Sequence, residues 1–213
     1  MNKEKNVTVI SSNDGPTSIF ITSGKHKLSL KQQLKKKSFE LRKKWYALWI
    51  KSNPHTIDET VEFIREKYDF IEVSRTSKKY QRLYQELRSS FIMQYEPHLL
   101  GEYEDIPKLE SQKEEDIKKF LDIMRSRQEK AKEVPKEMFS LDCYFFEKRE
   151  GDLHMEIQLE SRFEYIGGGT SGSKTSKFHK IYKDVYKYYG VSEEDIKNNS
   201  KRYQNLLQTL AMR

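Results

Sequence analysis

Cysteine is nearly absent from this chain: Cys143 is the single one in 213 residues. A disulfide within the chain is excluded, and a reducing, cytoplasmic setting is expected. Long apolar runs are missing as well. The longest, Trp45 to Ile50, has six residues, against about 20 for a spanning helix, so no membrane span is expected. Ile19 to Ile21 is too short for the apolar core of a secretion signal, and no cleavable leader is expected. Leu, Ile, Val and Phe total 50 residues, with 13 Tyr beside them, enough for one modest core. The five histidines (His26, His55, His98, His154 and His179) show no helical metal-pair spacing, and Cys143 has no cysteine partner. His154 and Glu156 share one strand face, a start of two ligands only. No catalytic set, no metal site and no cofactor is expected from these residues.

What the chain does have is charge, unevenly spread. Residues 25–51 carry ten Lys/Arg against one acid, Glu40, a local +9, while the whole chain sums to +7. The remainder is therefore −2. Within it, residues 138–173 hold seven acids and three bases, a local −4. A block of one sign attracts polyanions or an anionic membrane surface more strongly than the same charge diluted over a surface.

Periodicity divides the chain into elements. Val7, Val9 and Ile10, then Ile19 to Ile21, predict a short hairpin around the turn residues Ser11 to Thr17. Ser29 caps a predicted helix to about Lys51, with Leu30, Leu34, Leu41, Trp45 and Leu48 as its packed side. Capping boxes at Thr56–Glu59 and Ser111–Glu114 open two more helices, and a further one is expected over 78–95. Phe70 to Val73 fits a short strand or an extended link. Leu153 to Tyr165 alternates strictly and reads as a strand, preceded by a partner at 141–148. Ile166 to Ser173 reads as a Gly/Ser/Thr loop. A helix over 175–189 and one final helix from Ser192 complete the chain. The expected fold is mainly helical α+β, with about six helices, a long antiparallel hairpin at 140–165 and the N-terminal hairpin. The expected organisation is an arm of residues 1–52 on a body of residues 53–213.

One short segment resembles a known family. Asn6-Val7-Thr8-Val9-Ile10 followed by Asp14-Gly15-Pro16-Thr17-Ser18-Ile19-Phe20 is similar to the G-G-A-D-G-P-T-[SA]-I-F stretch of the β subunits of sodium-ion-translocating carboxylic-acid decarboxylases. The resemblance implies a multi-helix membrane protein in which Asp14 would take part in sodium and proton coupling, with Gly15, Pro16 and Thr17 completing the motif. It covers about seven residues, and Ser11-Ser12-Asn13 stands where the family has Gly-Gly-Ala. It also leaves open an accessory of such a complex, or a small protein that carries the motif.

The remaining signals concern partners. Lys31, Lys35, Lys36, Lys37, Arg42, Lys43 and Lys44, with Trp45 and Trp49, form a basic amphipathic stretch. Such a stretch suits an acidic protein, a nucleic acid or ribosome, an anionic membrane surface, or a second copy in a homo-oligomer whose −4 hairpin meets the +9 arm. Gly168, Gly169, Gly172 and Lys174 lie between a strand and a helix and suggest a weak anion loop. The phosphate-loop pattern needs Gly directly before Lys, and Ser173 intervenes. Tyr182, Tyr186, Tyr188 and Tyr189, interleaved with Lys177, Lys180, Lys183 and Lys187, offer a stacking surface for single strands. The expected function is non-catalytic interaction or assembly through the basic arm.

Overall fold

The computed structural model describes residues 6–9, 19–22, 29–107, 109, 111, 113–173 and 175–212. They form a mainly helical α+β protein with a four-stranded antiparallel sheet. Two strands stand apart from that sheet: β1 (Asn6–Val9) and β2 (Ile19–Thr22) pair antiparallel, Asn6 opposite Thr22, as the expected N-terminal hairpin. The chain divides into two compact units. One comprises Leu28–Ser74 and Asp142–Arg213, and the other is built on Arg75–Leu141.

The first unit opens with α1 (Leu30–Trp49), capped by a reciprocal box between Ser29 and Gln32. A second box, Thr56 with Glu59, starts α2 (Ile57–Tyr68). After it comes β3 (Ile71–Glu72), then β4 (Cys143–Glu150), β5 (Leu153–Glu160) and β6 (Tyr165–Ser171), in the spatial order β3-β4-β5-β6. Three helices close the chain: α5 (Ser176–Tyr189), α6 (Glu193–Lys197) and α7 (Lys201–Ala211). Helices α3 (Lys78–Tyr95) and α4 (Glu114–Glu133) lie in the second unit.

Phe146, Met155, Ile157, Leu159 and Ile166 of the sheet join Ile57, Val61 and Ile64 of α2, Ile181 and Val185 of α5, and Leu206 and Leu210 of α7 in one buried cluster. The strict alternation of β5 sends its odd-numbered residues into that cluster. Cys143 is fully buried, as a core thiol should be.

Two expectations about this region are corrected. The alternating run ends at Glu160 rather than Tyr165, because a turn over 161–164, with Glu164 at φ 50°, reverses the chain. Glu160 holds that turn: its buried carboxylate accepts from the N–H groups of Asp142 (3.1 Å), Arg162 (3.1 Å) and Phe163 (2.7 Å). The glycine stretch expected as a loop is the strand β6. A side chain at Gly168 would lie 2.9 Å from the Tyr182 ring and 3.0 Å from the Phe178 ring, so the aromatic face of α5 can reach the sheet only over bare backbone. The single final helix is also two, because Asn199 is left-handed (φ 49°) and Ser200 caps α7 through Tyr203 N–H.

The second unit holds α3 (Lys78–Tyr95), a 3-10 segment Pro97–Tyr103, and α4 (Glu114–Glu133), which pack on one another. Its capping differs from expectation. Lys113 occupies the N-cap with no side-chain bond, and Ser111 instead bonds Asp116, a partner five residues on. On α4 Leu121 is exposed, whereas the charged Arg127 is buried. Arg127 donates to the carbonyls of Tyr103, Glu104 and Asp105. Arg88 on α3 does the same for Phe139 (2.7 Å), Val134 (2.7 Å) and Pro135 (2.8 Å). Desolvation by burial lowers the pKa of both guanidinium groups.

Candidate docking face on helix α1

Helix α1 exists where the periodicity places it, but its packed side is the other one. Ser38, Phe39, Arg42, Lys43, Tyr46, Ala47 and Ile50 are partly covered, with Tyr46, Ala47 and Ile50 against the core cluster. The helix runs along α7. Arg42 Nε donates to the Ala211 carbonyl at 2.8 Å, and its Nη1 to Ser38 Oγ at 2.8 Å. Lys183 of α5 reaches the neighbouring Met212 carbonyl. Burial lowers the Lys183 pKa, and the nearby Arg42 and Lys187 charges add to that. The seam thus satisfies carbonyls at the C-terminal end of α7 with basic groups, which also suits that helix dipole.

The link from α1 to α2 is fixed as firmly. Asn53 N–H donates to Val191 O (2.9 Å) and His55 N–H to Tyr189 O (3.0 Å). Arg202 of α7 donates to the carbonyls of Gly190 (2.9 Å), Tyr189 (2.6 Å) and His55 (2.7 Å). Its guanidinium also stacks 3.7 Å from the Tyr189 ring centre. Burial raises the Tyr189 phenol pKa well above its usual value. One end of α1 is therefore held by both side-chain packing and backbone bonds.

Opposite that packed side lies the apolar stripe. Leu30, Leu34, Leu41 and Leu48 fall within about a quarter turn of one another at helical spacing, and all are exposed, Leu30 to 79% and Leu48 to 81%. Trp45 (55%) and Trp49 (68%) extend the stripe at the C-terminal end, their ring centres 6.2 Å apart. These two are all the tryptophans in the chain. The leucines expected to face the core face outward because amphipathic spacing tells which side of a helix is apolar, not which side is covered. The covered side sets the half-buried Arg42 and Lys43 beside Phe39, Tyr46, Ala47 and Ile50. Lys37 and Lys44 border the stripe on one flank and Lys31 on the other. Lys35 and Lys36 stand further round, and all five are exposed.

The other predicted sites fare differently. Asp14, Gly15, Pro16, Thr17 and Lys174 lie outside the described residues. Gly168 and Gly169 belong to β6, and Gly172 follows it at φ 97°. The tyrosines of α5 are occupied by their own unit. Tyr186 Oη donates to the Ile166 carbonyl (2.8 Å), as Tyr182 does (3.2 Å), and Tyr188 is stacked on His55 (4.1 Å) and Phe63 (4.0 Å). The structure adds one residue that spacing missed. Glu147 of β4 sits opposite Glu156, so Glu147, His154 and Glu156 gather their ligand atoms within 4.8 Å. The His154 Nε2 atom is 3.5 Å from Glu147 and 3.7 Å from Glu156. Only cross-strand register reveals that trio.

No family model, curated protein or solved structure matches this chain. No helix among the described residues is long and apolar enough to cross a membrane.

Proposed function

We propose that this protein acts by non-catalytic interaction, seating α1 on an anionic, amphipathic surface. One observation carries the reading: a helix secured along one side turns a leucine and tryptophan stripe, bordered by lysines, to solvent. An apolar stripe on a helix normally marks its buried side. Contiguous exposed apolar surface rimmed by charge marks interaction sites. The helix carries seven Lys/Arg and one acid, a net +6, so its complement is negative.

The test is salt-graded elution of the full chain from immobilised heparin, a polyanion. Changing Lys31, Lys35, Lys36, Lys37 and Lys44 to Gln should lower the eluting salt concentration sharply, because each phosphate-like contact contributes to the salt slope. The same number of changes on the helical unit, at Lys78, Lys79, Lys118, Lys119 and Lys130, should lower it much less. Equal effects from the two sets would overturn the reading.

A further inference from the structure

The reading above leaves the chemistry of the surface open. Building on it, we propose that α1 binds an anionic lipid bilayer, lying in the headgroup plane with its leucines and tryptophans inserted. Three features of the face select lipid over the other occupants.

The first is where the lysines stand. Leu34, Leu41 and Leu48 are spaced by seven residues, and Leu30 lies four before Leu34. A partner helix reading this seam would meet Lys37 and Lys44 at the next positions of the same register and have to bury both. A bilayer imposes no such burial. Lysine stems can lie along the acyl boundary while the ammonium groups reach lipid phosphates.

The second is the charge balance. A second copy would bring another helix with seven bases and one acid against the same face, +6 against +6. Such a pair repels, whereas each lysine near an anionic leaflet is favourable.

The third is the pair Trp45 and Trp49, exposed together at one end of the stripe. Indole rings favour the headgroup level, where one edge is apolar and the other wet. A helix of 20 residues is about 30 Å long, which matches a hydrocarbon core. Its seven bases forbid spanning and leave the surface orientation. The opposite side, with Arg42, Tyr46, Ala47 and Ile50, stays docked on the unit it belongs to and carries that unit to the membrane.

The experiment is co-sedimentation of the full chain with large vesicles of phosphatidylcholine alone, or of phosphatidylcholine and phosphatidylglycerol in equal amounts. Two variants accompany it: the five-lysine variant already described, and Leu34→Gln/Leu41→Gln/Leu48→Gln. All the changed side chains are exposed, so both should keep the native far-ultraviolet spectrum. The wild-type chain should sediment with the mixed vesicles and stay in solution with the neutral ones. Each variant should weaken lipid binding by about 100-fold or more. The leucine variant should still be retained on heparin.

Wild-type protein that ignores the mixed vesicles, yet depends on the α1 lysines for heparin retention, would overturn the lipid assignment and leave the broader reading standing. Vesicle binding unaffected by the leucine changes would overturn insertion. A concentration-dependent dimer abolished by the leucine variant would assign the face to a second copy instead.

Discussion

Gly190→Ala should destabilise the sheet-containing unit by about 3–5 kcal/mol and loosen α1 from it. Gly190 ends α5 at φ 57°, ψ −161°, a conformation that a side chain makes strained. A Cβ there would lie 1.9 Å from the Asn53 carbonyl oxygen, inside any permitted contact and against backbone rather than a movable side chain. Strain of about 1–3 kcal/mol accompanies such a backbone. Relieving the contact means moving the segment over 51–55. That breaks the bonds from Asn53 to Val191 and from His55 to Tyr189, each worth about 0.5–1.5 kcal/mol. The natural control is Gly169→Ala in β6, where nothing lies within 4 Å of the added carbon. It should be neutral or slightly stabilising, since it reduces the freedom of the unfolded chain. Urea denaturation of the two variants checks both. Equal stability of the pair would show that the 51–55 segment is not anchored as described.

Arg88→Met should cost a similar amount, about 3–5 kcal/mol, in the helical unit. Arg88 is 1% exposed and donates to three main-chain carbonyls, those of Val134 and Pro135 just after α4 and of Phe139 beyond them. Methionine fills much of the volume but donates nothing. The buried acceptors of Val134 and Phe139 then lose their donor, each costing about 1–3 kcal/mol before relaxation admits water, and the partly buried Pro135 carbonyl loses its own. Arg88→Lys should recover only part of the loss, because one ammonium group cannot reproduce a planar fork aimed at three oxygens. The check is the denaturation midpoint of the two variants by far-ultraviolet circular dichroism. A Met variant within about 1 kcal/mol of wild type would mean that those carbonyls find other donors.

These arginines show where a sequence stops being legible. In α3 and α4, Arg88 and Arg127 are charged side chains with no local signal for burial. Their burial is imposed by loop carbonyls whose positions no local pattern encodes. Elements with an intrinsic signal were plain: the Ser29 cap of α1, the capping box of α2, the 3.6-residue period of α3 and α5, and the alternation of β5. Strand β6 was hidden because Gly167 to Gly169 resemble a linker, while the missing side chains of Gly167 and Gly168 answer the rings of Tyr165, Tyr182 and Phe178. For the candidate face, the existence and charge of α1 were readable, and its orientation was not. The choice of covered side rests on pairings across long sequence separations, such as Arg42 with Ala211.

The outward orientation of that stripe is the claim on which the rest depends, and intrinsic tryptophan fluorescence tests it directly. Trp45 and Trp49 are the whole tryptophan signal of the native chain. With the stripe turned to solvent, the free protein should emit as water-exposed indole and be quenched efficiently by acrylamide. Adding vesicles with phosphatidylglycerol should shift the emission to the blue and protect it from the quencher. A blue, quencher-resistant emission already present in the free protein would place the stripe against protein and contradict the account.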